Sequence, residues 1–363
     1  MKTYLARVGG VLLASSIFSF STLAGLNFSF TNEGGASAAM MTGMAEAASI
    51  WSSRLNDSIT INIRVNASAL PAGVIAHTDT FYDPYSYSSF RSALIADRTS
   101  SDDQSATNHL QSGAVFSMLI NRTANNPSGV VSATPYFDTG LGGPGQAGSA
   151  NNSTVRISSA NAKAMGLYPA NSPGIDGTIT ISNTVSFDFN RSNGIGSSQV
   201  DFVGVVAHEM GHLMGFVSGV DVLNGNSAAP GLTDNQLQYV TPLDQFRFST
   251  RSIGAGGGVG VIDWADDSVF KYLSVDGGVT ALSEFSTGST YEASHWKFNS
   301  GLGIMSPTAA AGQLLSVSNN DVRAFDVIGY DIVPEPSSWV MLGCAALFVL
   351  PGRRRRPALL AVG

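Results

Sequence analysis

The stretch VVAHEMGHLMGFVSGVD, residues 205–221, carries two histidines one helical turn apart with a glutamate between them. His208, Glu209 and His212 stand in the spacing H-E-x-x-H, and Gly215 follows where such a helix ends. Upstream, Ser198 with Asp201 reads as a capping box, and Val203, Val206, Met210 and Leu213 recur at helical spacing. That apolar stripe belongs against a core, so His208 and His212 project together from the neighbouring face. Imidazole nitrogens placed this way can meet one zinc ion at about 2.0–2.1 Å. Glu209 is rotated about 100° from His208, which puts its carboxylate beside the ion and not on it. There it can take a proton from metal-bound water and hand it to a leaving amine. The plainer alternative is a surface helix with two solvated histidines, but chance seldom yields this motif on a capped, amphipathic helix.

A zinc hydrolase of this kind needs a third protein ligand. In one large group it stands three residues after the glycine, where this chain has Ser218. The other histidines are His77, His109 and His295. Asp221, just past the helix, offers a carboxylate that suits zinc. Glu284 and Glu292 would serve only if a second helix carried them, and EFSTGSTYEASH is too rich in Ser, Thr and Gly to read as one. His295 sits in ASHWKFNSGLGIMSPT, with Met305 ten residues later in a tight G-I-M-S-P turn.

HEMGHLMGF (208–216), then SHW (294–296), then GIMSP (303–307) resemble the leishmanolysin-like branch of the metzincin proteases. In that branch an insertion separates the first two histidines from the third. The resemblance is confined to two short blocks, whose order and spacing are specific. It implies that His208, His212 and His295 are zinc ligands, that Glu209 is the base, and that Met305 forms a methionine turn beneath the metal. Asp221 is the runner-up for the third position, and His77 and His109 are read as ordinary polar histidines. Leishmanolysin relatives are rich in disulfides, whereas the only cysteine here is Cys344, in the C-terminal apolar run. Residues 25–332 therefore have no disulfide, no cysteine nucleophile and no thiol latch. DVRAFDVIGYD (321–331) reads as a helix and an extended segment with a structural role.

Both ends read as processing segments. Lys2 and Arg7, the apolar run VLLASSIFSF and the small residues Thr22 and Ala24 describe a signal peptide over 1–24. VPEPSSWVMLGCAALFVLPGRRRRP (333–357) resembles the bacterial PEP-CTERM sorting signal, with its V-P-E-P motif, short hydrophobic helix and arginine cluster. A full span needs about 20 residues, and arginines after the run hold that end on the cytoplasmic side. The resemblance implies export across the inner membrane and transient anchoring there. Cleavage by an exosortase-type enzyme and release to the cell surface or medium would follow. A permanent tail anchor is the simpler alternative.

Setting these ends aside removes Lys2, Arg7 and Arg353 to Arg356 from 19 basic residues, and Glu335 from 26 acidic ones, leaving about −12. That balance excludes a nucleic-acid footprint. IGAGGGVG (253–260) holds no G-x-G-x-x-G register, and no G-x-S-x-G elbow occurs. GLNFSF reads as a first strand, residues 39–55 as a helix, 58–65 as a half-buried strand and 80–125 as partly helical. Residues 139–153 read as a loop, and those from Gly177 as extended.

The expected fold is α+β and metzincin-like, with a twisted sheet, the zinc helix at the cleft floor, and an irregular lower subdomain delivering His295 and Met305. The expected function is a zinc-dependent endopeptidase acting on protein or peptide substrates by Glu-assisted attack of metal-bound water. Two alternatives stand beside it: an exported surface or matrix protein with a structural or vestigial zinc site, and a metallohydrolase acting on a non-protein amide.

Overall fold

The computed structural model describes residues 25–140, 149–254, 258, 260–288 and 290–334. The expected signal peptide, and the expected sorting signal beyond Pro334 with its apolar run from Trp339, lie outside the described residues. Among the described residues no helix is long and apolar enough to cross a membrane.

The fold is mixed α+β. Its main sheet places Asn27–Gly34, Thr60–Ser68, Gly177–Ser182 and Ala76–Thr80 side by side in that order. The first three strands are parallel, and Ala76–Thr80 runs antiparallel along one edge. Parallel neighbours need a crossover, and the helix Ala38–Ser52 supplies it between the first two strands. Alternation in TINIRV puts Ile61, Ile63 and Val65 on the buried face, beside Ile179 and Ile181 of the next strand. Fully burying each of these side chains contributes about 1.5–3 kcal/mol.

Against that face pack the crossover helix and the helix of the H-E-x-x-H motif, through Met44, Ala47, Trp51, Val206, Met210 and Leu213. The two helices approach closely because position 43 is glycine: a Cβ there would lie 2.4 Å from the Phe202 ring. The crossover helix ends at Ser52, before the predicted residue 55, because Leu55 instead bridges to Ile332 near the end of the described chain.

The motif helix spans Phe202–Leu213. Its N-cap is Asp201, whose carboxylate accepts the Gly204 N–H at 3.1 Å, so the predicted Ser198 cap lies too early. Residues 200–201 are instead a short strand paired with Phe187–Asp188. The C-terminal signal is where the sequence put it: Gly215 has φ +114°, the left-handed stop that favours glycine.

Beyond Gly215 the chain is less regular. Arg247–Phe248, Tyr272–Leu273 and Ser283–Glu284 form a small antiparallel sheet. Ile262–Asp263 joins Met118–Ile120 and Tyr136–Asp138 in another. The last helix, Asn319–Val327, starts at a capping box of Ser318 and Asp321. Residues 80–125 contain the helices Tyr87–Asp97 and Ser101–His109, as expected of a partly helical stretch.

Candidate metal centre

His208, His212 and His295 meet with their ligand atoms all within 4.8 Å of one another. Nε2 of His212 lies 3.0 Å from Nε2 of His208 and 3.2 Å from Nε2 of His295. The other nitrogen of each ring faces a backbone carbonyl. His208 Nδ1 donates to Ile304 O at 2.7 Å, His212 Nδ1 to Phe216 O at 2.8 Å, and His295 Nδ1 to Glu292 O at 3.3 Å. A carbonyl oxygen only accepts, so each Nδ1 carries the proton and each Nε2 presents a lone pair.

Three lone pairs facing one another repel unless a cation lies between them. Nitrogens about 2.1 Å from an ion at the corners of a tetrahedron stand about 3.4 Å apart, close to the spacing seen here. The residues therefore fit a metal ion. Burial, with the neighbouring histidines, holds His212 well below the usual imidazole pKa and brings His295 down to about 3. Both rings are neutral at physiological pH, the form that ligates.

Glu209, next to His208 on the motif helix, is buried. Its Oε2 accepts from Thr78 Oγ1 at 2.7 Å, which ties the glutamate to the edge strand Ala76–Thr80. Burial raises its pKa, opposed in part by the neighbouring His208 and by the Thr78 hydrogen bond. Beside it a cleft of about 700 Å³ is lined by His77, Thr78, Tyr82, Glu209, His295 and Pro307, among others.

Met305 lies directly beneath the motif helix. A Cβ at Gly211 would stand 2.3 Å from its Sδ, so glycine at 211 and methionine at 305 fit as a pair. Its carbonyl accepts the Trp296 N–H at 2.9 Å, joining the turn to the segment that carries His295.

Each remaining ligand candidate has another task. Asp221 uses both oxygens on the 293–294 segment: Oδ1 accepts Ala293 N–H at 2.6 Å, and Oδ2 accepts Ser294 N–H at 3.1 Å and Ser294 Oγ–H at 2.5 Å. Glu284 pairs with Lys297 Nζ at 2.6 Å. The Glu292 side chain is exposed, and its carbonyl is the one that His295 uses. His109 bonds its own helix at Ser105 O. His77 stands 3.3 Å from Asp79 on the edge strand and lines the cleft, a placement that its sequence surroundings did not reveal.

Asp321 is the residue that sequence reasoning undervalued. Fully buried, it accepts from Trp296 Nε1 (2.8 Å), Ile304 N (2.9 Å), Met305 N (3.2 Å), Ser318 N (2.7 Å) and Ser318 Oγ (2.8 Å). It thus binds the methionine turn, the tryptophan after His295 and its own helix start into one unit. Gly303, at φ +151°, lets the turn come this close, since a Cβ would meet Asp321 Oδ2 at 2.0 Å. The local signal was S-x-x-D at 318–321, a capping box that also serves the turn.

Comparison with protein-family models, with curated proteins and with solved structures found no match to this chain.

Proposed function

We propose that this chain is a zinc-dependent endopeptidase with a metzincin-like active site. His208, His212 and His295 would hold the metal, Glu209 is its general base, and Met305 is the turn methionine. The observation that carries the reading is the convergence of three Nε2 lone pairs beside a buried glutamate, at the wall of an open cleft. Three neutral imidazoles would leave zinc its full charge and an open position, so that it polarises a carbonyl and acidifies water.

The chain's own residues supply the rest. Thr78 fixes the carboxylate of Glu209 by a 2.7 Å hydrogen bond, so the base faces the cleft in one orientation. Glu209 accepts a proton there and returns it to the departing amine. A purely structural centre would have no use for a base so placed.

The cleft supports a peptide as substrate. Ala76–Thr80 bonds Gly177–Ser182 on one side, and among the described residues no strand pairs with its other side. Ala76, His77, Thr78 and Thr80 of this strand line the cleft. An extended peptide laid along such an edge gains main-chain hydrogen bonds whatever its side chains.

The signal peptide over 1–24 and the sorting signal over 333–357 complete the proposal: an enzyme exported across the inner membrane, anchored there transiently and processed by an exosortase-type partner. The test is hydrolysis of a quenched peptide library by the full chain beside Glu209→Ala. Cleavage by the wild type that falls by at least about 100-fold in the variant, with metal content unchanged, is the expected result. Equal cleavage by both proteins, or none by a zinc-loaded wild type, would overturn it.

A further inference from the structure

His295 lies 83 residues beyond His212, on an irregular segment, yet its Nε2 comes within 3.2 Å of the His212 ring nitrogen. Something must close that excursion to a fraction of an ångström. The motif helix ends at Leu213, and the next helix, Val220–Gly225, starts almost at once. Asp221 stands in its first turn and reaches across to the 293–294 backbone, immediately before His295. Its two oxygens accept three hydrogen bonds there, from two backbone N–H groups and the Ser294 hydroxyl.

Around this contact the segment is gripped from other sides. Ser294 Oγ accepts the Ser218 N–H at 2.9 Å, so one hydroxyl links Ser218 to Asp221. Buried Arg247 donates to Ala293 O at 3.3 Å and to Ser286 O at 2.6 Å. Ser286 N–H in turn donates to the His295 carbonyl at 2.9 Å. These bonds hold the backbone on both sides of the ligand, the Glu292 carbonyl takes Nδ1, and Nε2 is left to face the metal position.

We infer that Asp221 is a positioning residue for His295, presetting the third imidazole so that the metal binds a ready-made site. The inference rests on the metal reading above. A ligand already held in place costs less ordering when the ion binds, and groups outside the ligand shell that orient it typically contribute 10–100-fold in metal affinity. Asp221→Asn is the sharpest probe, because an amide keeps the shape but turns a donor toward donors.

Zinc affinity of the full chain, measured by competition with a chromophoric chelator, should fall about 10–100-fold in Asp221→Asn. The visible absorption of the Co2+-loaded variant at saturation should keep the wild-type band positions, because the ligand set is unchanged. Ser294→Ala removes one of the three bonds and should lose affinity several-fold; it carries the test if Asp221→Asn does not fold. Shifted Co2+ bands would make Asp221 itself a ligand and overturn the inference. So would unchanged affinity in both variants, even with lowered melting temperatures, since that is the mark of a merely structural contact. A wild type that binds no metal would sink the metal reading and this inference together. Unchanged affinity in the variants of a metal-binding wild type sinks only the inference.

Discussion

The two sides of the motif helix are held together by different physics. Before Gly215 the main sheet and the two helices packed on it take their order from apolar periodicity: Ile61, Ile63, Val65, Ile179 and Ile181 bury one face against Trp51, Val206 and Met210. After Gly215 the strands are two residues long, and buried carboxylates take over. Asp221, Asp244 and Asp321 collect N–H and O–H donors from distant turns: Asp244 alone accepts from Ser218 Oγ, Gly219 N, Thr241 N and Trp264 Nε1. With no disulfide to staple it, this half uses carboxylates as the knots of its loops. Apolar packing spreads its stabilisation over many contacts, while a carboxylate knot concentrates it in one residue.

The contrast predicts that single substitutions below the helix do more harm than single substitutions above it. Asp321→Ala strands four N–H donors at once, each costing about 1–3 kcal/mol when left buried and unpaired. It should leave no cooperative thermal transition, or destabilise by more than about 4 kcal/mol on urea unfolding. Ile179→Ala, in the middle of the sheet, should cost about 2–5 kcal/mol and leave a cooperative transition. If Ile179→Ala proves the more damaging of the two, the carboxylates are not the knots described here.

The smallest effect is expected at the seam between the halves. Asp57 meets the segment that follows the last helix there, and its carboxylate accepts the Asp331 backbone N–H. Burial raises Asp57 to about 8, and the negative charges of Asp331 and Asp97 push the same way. Burial likewise raises Asp97 to about 7, helped by Asp331 and Asp103, and Asp326 to about 7, helped by Asp103. The folded state thus holds protons that the unfolded chain releases near pH 4. The stability these groups contribute is complete below that pH and is lost as pH rises through about 7 to 8. Melting temperature should decline between pH 6 and 9 in the wild type and decline less in Asp57→Asn. A variant with the same slope as the wild type would remove Asp57 from the account.

The same division governs what the sequence could reveal. Alternation in TINIRV and the 3.6-residue stripe of the motif helix are local signals of large apolar faces, and both elements formed with small errors at their ends. H-E-x-x-H was legible because a helix alone sets its geometry. His295 was reachable only through resemblance, since nothing within its segment shows where that segment returns in space. Asp221 stands in the sequence only as runner-up for the third position, because a carboxylate near a metal motif looks the same there whether it faces an ion or, as in the structure, backbone N–H groups. Asp321 reads in the sequence only as part of a closing helix, because the partners it holds in the methionine turn and at Trp296 lie 16 to 25 residues earlier and carry no periodicity.

The most direct test of the central claim is the zinc retained after dialysis by the purified full chain and by His295→Ala. The account predicts one zinc per chain in the wild type and its loss in the variant, since two imidazoles from one helix leave the ion without its third protein ligand. Equal retention by both proteins would place the third ligand elsewhere and contradict the site as described.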